Sequence, residues 1–175
     1  MKISRRKFLV SSSMAAGAAT FGSALNSSAH AAGAAKVYFT SDLSISGMIS
    51  ALNTVKENLT GKIAIKLHTG EPHGPNIIPR DMVKAVQDAL PDSTLVECNV
   101  LYSSPRKTNA GHRETLRTNG FTFSTVDIMD EDGDTPLPVP GGKWLKEVHV
   151  GSHMLNYDSM LVLTHFKGHA MGGFG

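Results

Sequence analysis

Lys62-Ile63-Ala64-Ile65-Lys66-Leu67-His68, running into Thr69-Gly70-Glu71-Pro72, is the stretch that decides the fold. A short apolar run closed by a Gly/Pro loop predicts a β-strand. Working outward, the same strand is flanked by helical patterns on both sides. Upstream, Ile45, Met48, Ile49, Leu52 and Val55 recur at helical spacing up to Gly61, after a short β-type run, Val37-Tyr38-Phe39-Thr40. Downstream, Pro79 opens a helix carrying Met82, Val83, Val86 and Leu90. Proline suits a first helical turn, where its missing N–H has no partner to lose.

The alternation then continues. Thr94 to Cys98 predicts a strand, Ala110 to Thr118 a helix closed by Asn119-Gly120, and Phe121 to Ile128 another strand. Asp130 to Gly142, rich in Pro, Gly and acidic residues, predicts a surface excursion. Trp144 to Val150 alternates like an exposed edge strand, Ser152 to Tyr157 predicts a short helical turn, and Met160 to Thr164 a buried strand. Strands alternating with helices define an α/β class, a mostly parallel sheet with helices on both faces. The last strand runs into the Gly-rich string His165 to Gly175, where a further helix is expected, so the sheet is expected to be incomplete at this end.

The first 31 residues belong to a different kind of segment. Ser4-Arg5-Arg6-Lys7-Phe8-Leu9 sets paired arginines before apolar residues, and Val10 to Ala35 carries no charge. Ala29-His30-Ala31 supplies a small-x-small cleavage site. This is the layout of a twin-arginine signal peptide, which implies the export machinery as a partner and a periplasmic or extracytoplasmic destination. Its Ala, Gly and Ser content makes it too weakly apolar for a stable span, and no stable membrane span is expected in the mature chain. The expected organisation is therefore a signal peptide over 1–31 and one α/β domain over 32–175.

Charge and cysteine content narrow the function. Four of the 17 basic residues lie in the leader and none of the 15 acidic ones, so the remaining chain has a net charge of −2. Without a basic stripe there is no electrostatic footprint for nucleic acid. Cys98 is the single cysteine. It reads as a small buried hydrophobe at a strand end, and alone it cannot hold an iron–sulfur cluster, which needs about four thiolates.

Ligands of open α/β sheets bind beyond the carboxyl ends of the strands. Lys66, His68 and Glu71 belong to the first such end, Glu97 and Asn99 to the next, Asp127 lies near a third, and His165, Lys167 and His169 follow the last. Arg106 and His112 are close enough in sequence to reach the same rim. His165 and His169, four apart, are candidate metal ligands, although Phe166 stands where a helical metalloprotease motif needs Glu. Lys167 between them, with glycines at 168, 172, 173 and 175, equally suits an anion. The acidic turn Asp130, Asp132 and Asp134 lacks the glycine and terminal glutamate of a calcium loop and reads as solvated.

Four strings together, Ala64-Ile65-Lys66-Leu67-His68-x-Gly70-Glu71, Asn99-x-Leu101-Tyr102 with Arg106, His112-x-Glu114-Thr115 leading to Asn119-Gly120-Phe121, and His165-Phe166-Lys167-Gly168-His169 with Gly173-Phe174-Gly175, make the chain familiar. It resembles the iron-sulfur-centre protein family called domain of unknown function 362. Glu97 stands where such members usually carry Asp, and Cys98 where they often carry Thr. The resemblance implies a Rossmann-like fold, a rim site, and [4Fe-4S] clusters with electron transfer to a redox partner, the clusters resting on a cysteine-rich region that these 175 residues do not contain.

The expected function is thus an exported protein of that type, binding an anionic ligand or metal at Lys66, His68, Glu71, Glu97, Asn99, Arg106, His112, His165, Lys167 and His169. The alternatives are a metal- or His-assisted acid/base enzyme, with Glu97 or His165 as base and Lys167 steadying negative charge, and a non-catalytic ligand-binding protein.

Overall fold

The computed structural model describes residues 36–174; the leader, with Arg5 and Arg6, lies outside the described residues. The chain divides into two units, Met1–Val37 and Tyr38–Gly175, and the second holds every element given below. In chain order these are α1 (Ile45–Asn53), β1 (Ile63–Lys66), α2 (Arg80–Asp88), β2 (Ser93–Glu97), α3 (Asn109–Thr118), β3 (Val126–Ile128), β4 (Asp134–Pro138), β5 (Glu147–Gly151), β6 (Ser159–Val162), β7 (Gly168–His169) and β8 (Gly173–Phe174).

Four strands form one parallel sheet in the order β3-β2-β1-β6. Ile65 of β1 lies beside Leu95 of β2 on one side and Leu161 of β6 on the other, and Leu95 in turn lies beside Val126 of β3. The chain steps outward from β1 to β3 and then crosses back to the far side of β1. Right-handed crossovers put these two movements on opposite faces of the sheet. The packing agrees: Ile63, Ile65 and Leu95 share a core with Leu52 of α1, Val83 and Val86 of α2 and Leu116 of α3. On the opposite face, Ala64 and Val96 pack with Met160 of β6 and with Met129 and Tyr157 from the β3–β6 crossover. The α/β class and the parallel sheet are as the sequence predicts, and among the described residues the helical cover lies on the first of these faces.

Boundaries differ where a residue is taken for another task. Phe121, expected to begin a strand, instead closes α3: its N–H donates to Leu116 O at 2.9 Å while Gly120 N–H donates to Arg117 O at 3.0 Å. Gly120, at φ 81°, supplies the left-handed turn this helix ending requires, and Phe121 packs on Leu116 in the core. The strand therefore starts only at Val126.

Val37-Tyr38-Phe39-Thr40 forms no strand, because no described strand lies alongside it, and Phe39 is 91% exposed. Inside the expected excursion, β4 pairs antiparallel with β5, the narrowed form of the Trp144–Val150 strand. This hairpin tolerates Pro136 and Pro138 because it has only two strands and leaves one edge of each open. The last expected buried strand lies at an edge among the described residues, where β6 pairs with β1 alone, and Val162 is exposed. Among the described residues, no helix is long and apolar enough to cross a membrane.

Candidate functional site

Strand order reverses between β1 and β6, so the loops leaving these two strands diverge and open a crevice. The cavity there has a volume of about 330 Å³, and its walls include Lys66, His68, Glu97, Asn99, Arg106, His165 and Lys167. Seven of the residues the sequence singled out are thus brought together.

Glu97 is the hub. It ends the central strand β2 and is only 3% exposed. Its Oε2 accepts from Lys66 Nζ at 2.6 Å and from Cys98 N at 3.1 Å. Its Oε1 accepts from Thr69 N at 2.9 Å, Thr69 Oγ1 at 3.2 Å and Arg106 Nη1 at 3.4 Å. Burial pushes the carboxyl pKa up, but the Lys66 ammonium and the donors from Thr69 and Cys98 outweigh it and hold the pKa below the usual carboxylate range. A carboxylate so supplied with donors has little affinity for a proton, and Glu97 is an anchor for two cations where the sequence allowed a general base.

Arg106 sits in a short 3₁₀ turn, Pro105–Lys107, pressed against the start of α3. Gly111 permits this: a Cβ there would come within 2.1 Å of Pro105 O. The guanidinium reaches Glu71 through Nε (3.2 Å) and Nη2 (2.9 Å) and Tyr102 Oη through Nη2 (2.9 Å). Glu71 also accepts from Tyr102 Oη at 2.6 Å and Ser104 Oγ at 2.5 Å. Burial works against its charge, yet the hydrogen bonds from Ser104, Tyr102 and Arg106 bring its pKa to about 2. Glu71 therefore stands behind Arg106 as its counter-ion and does not line the crevice.

Lys66 and Arg106 are matched by Glu71 and Glu97, which leaves this inner network neutral. Lys167 has no acidic partner among the described residues. Beside it, the His165 and His68 rings are 5.5 Å apart, and His165 Nδ1 is buried without a hydrogen-bond partner among the described residues. Burial lowers the His68 pKa below the ordinary 6.5; the Glu97 charge pulls it up, while Arg106, His165 and Lys66 push it further down.

His112 is wholly buried in α3 and sits beneath the rim. Its Nδ1 is 3.1 Å from Asn99 Oδ1, while Asn99 N donates to Asp130 Oδ1 at 2.9 Å. It holds the Asn99 loop in place and does not line the crevice itself. His169 also departs from the expected arrangement. The turn between β7 and β8 directs its Nδ1 at its own backbone, where it accepts from Met171 N (3.2 Å) and Gly172 N (3.0 Å). Among the described residues, no group of three or more His, Cys, Asp and Glu side chains is arranged to hold a metal ion, His165 and His169 included. Cys98 lines the crevice with its thiol pKa raised to about 11, by burial first and then by Asp130. One protonated thiol does not fit a [4Fe-4S] cluster, so these residues offer no place for one.

Three contributors were not legible as site residues. Thr69 and Tyr102 supply hydrogen bonds to the two carboxylates. Asn119, read as a helix stop and as part of the family string Asn119-Gly120-Phe121, donates from Nδ2 to Thr69 O and Glu71 O, both at 2.8 Å, and accepts from His73 N at 2.9 Å. Neither signal pointed to a site role for its side chain. Asp127, expected near the rim, faces the crossover instead: its carboxylate meets His153 Nδ1 at 2.7 Å and Tyr157 Oη at 2.7 Å.

The chain thus presents a parallel α/β sheet with a crevice at its switch point, the place where open sheets of this kind hold ligands. The family model described as "Domain of unknown function (DUF362)" matches residues 63–175, well over half the chain. The chain belongs to that family. No curated protein and no solved structure matches it.

Proposed function

We propose that this protein is exported by the twin-arginine route and binds an anionic ligand in the crevice between the ends of β1 and β6. The observation that carries the binding reading is the charge arrangement: the inner cations are neutralised by Glu71 and Glu97, whereas Lys167 at the crevice has no acidic partner among the described residues. A bound anion supplies that partner, and the unpartnered His165 Nδ1 adds a further polar contact. A metal cation would meet the unmatched Lys167 charge in a crevice whose Glu97 carboxylate is already taken up by Lys66 and Arg106, so a metal is the weaker reading. Electron transfer and a redox partner would rest on cysteines outside these 175 residues, since Cys98 alone cannot ligate a cluster.

Export rests on the Arg5-Arg6 leader and its small-residue cleavage site. Location of the mature form after cell fractionation tests it; Arg5→Lys with Arg6→Lys should leave uncleaved precursor inside the cell. Binding is tested by titrating the purified protein with acetate and inorganic phosphate at pH 7. Saturable binding of at least one is expected, weakened about tenfold by Lys167→Ala, on the order of 1.4 kcal/mol. Absence of saturable binding by either anion would overturn the assignment.

A further inference from the structure

The crevice is not closed on the side of α1 and α2. His165 and Lys167 are shared with a second cavity of about 470 Å³ that runs along Asn76, Ile77 and Ile78. Thr164 and His165 are shared with a third, of about 440 Å³, lined by Leu43, Met48, Ala51, Ile78, Pro79 and Met82. His165 alone belongs to all three, so it stands where a polar compartment opens into two apolar ones. Each volume lies within the range of about 300–1,000 Å³ that holds small organic ligands.

The two sides of this junction differ in chemistry. Toward β1 and β2 the walls are Lys66, His68, Glu97 and Arg106; toward the helices they are mainly methionine, leucine, isoleucine and proline side chains, with Thr40, Asp42 and Ser44 among them. Leu43 is 84% exposed, and Met48 and Met82 are half-buried, so water meets apolar surface there. Methionine adapts its shape to a variable apolar guest. A small inorganic anion would occupy the polar compartment and leave this adjoining surface wet. An organic anion with an apolar body would fill both.

We infer that the ligand of this site is an amphiphilic carboxylate or related organic anion, its charged group held by Lys167 and His165 and its apolar body laid along Met48, Ala51, Ile78 and Met82. This rests on the anion-binding reading and goes beyond it by naming the ligand class. The apolar body can be a flexible alkyl chain or a flat ring, and both sources share the same head group.

Titration calorimetry with the purified 175-residue protein separates these ideas, using acetate, decanoate, 2-naphthoate and uncharged decanol as probes. Decanoate, 2-naphthoate or both should bind at least tenfold more tightly than acetate and than decanol; the stronger of the two identifies chain or ring. Met82→Gln should remove most of that gain while leaving acetate affinity unchanged, and Leu43→Gln should act the same way if the first variant folds poorly. Acetate binding as tightly as both long probes would overturn the amphiphile and leave anion binding standing. Decanol matching decanoate would also overturn it, by showing that the groove acts without the cations. Failure of every anion would remove both readings.

Discussion

His112 donates its Nδ1 proton to Asn99 Oδ1, and the direction of that bond is fixed three residues away. Glu131 O is a carbonyl and can only accept, so the Asn109 side chain meets it with Nδ2, at 3.1 Å, and must present Oδ1 to Asn99. Asn99 then donates through Nδ2 at 2.7 Å and is left with Oδ1 for His112. His112 Nε2 is an unprotonated acceptor, buried and without a partner among the described residues.

Nitrogen NMR should therefore report His112 as the neutral Nδ1–H tautomer at pH 8. Burial, the largest influence, lowers its pKa, aided by Arg106 and Lys66. Its share of the stability is present above 6.5 and is lost as the pH falls from 6.5 through the folded pKa. An Nε2–H signal, or a protonated ring at pH 8, would contradict the network.

Asn119→Ala should destabilise the protein by about 2–3 kcal/mol, because Thr69 O, Glu71 O and His73 N all lose a partner in or near the core. Chemical denaturation measures this. The same variant should release the Glu71 loop, seen as faster amide exchange at His73. A loss below about 0.5 kcal/mol with unchanged exchange would show that the loop holds itself.

Glu97→Gln should cost about 3–5 kcal/mol, the usual result of removing one partner from a buried ion pair. Lys66→Met tests the cause of Glu97's acidity, since the Lys66 charge is the main influence opposing burial. Carbon NMR should find the Glu97 pKa higher in that variant; an unchanged value would assign the acidity to the backbone donors instead. In the unaltered protein Glu71 adds a second acid-sensitive element. Its contribution is complete above 4.5 and is lost as the pH falls through the folded pKa of about 2.

The crossover should respond to pH in the opposite sense. His153 lies between Asp127 (2.7 Å) and Asp132 (2.9 Å), whose hydrogen bonds raise its pKa against a smaller effect of burial. That stabilisation is complete below 6.5 and is lost as the pH rises through the folded pKa. Thermal melting from pH 6 to pH 9 should show the decline, and His153→Gln should flatten it. An equal decline in the variant would point to another group.

The central strands and most of the crevice were legible because one local rule served them. Lys66, His68, Glu97 and His165 end strands that the apolar runs mark clearly, and a parallel sheet gathers such ends at one edge. His169 was placed at the rim because it follows the last strand, whereas a two-stranded turn folds the ring back on Met171 and Gly172. The Asn119 side chain was not legible because its partners are about fifty residues away, and nothing local encodes that distance. β4 was hidden by its prolines, which argue against an interior strand and are tolerated in a hairpin.

The neighbour that completes the crevice on β1's outer side, β6, comes after the other three strands of its sheet in chain order among the described residues. Lys62 N donates to Asp158 Oδ2 at 2.8 Å across a separation of 96 residues, and Leu163 N reaches Lys66 O at 2.9 Å. Contacts that close so long a loop form late in folding. A nascent chain that has made β1, α2, β2 and the turn at Pro105–Lys107 holds Lys66, Glu97 and Arg106 but has neither His165 nor Lys167, so it has half a site. On the proposed anion-binding function, a ligand favours molecules in which β6 has docked over those in which it has not, by mass action, and occupancy becomes a report of that docking.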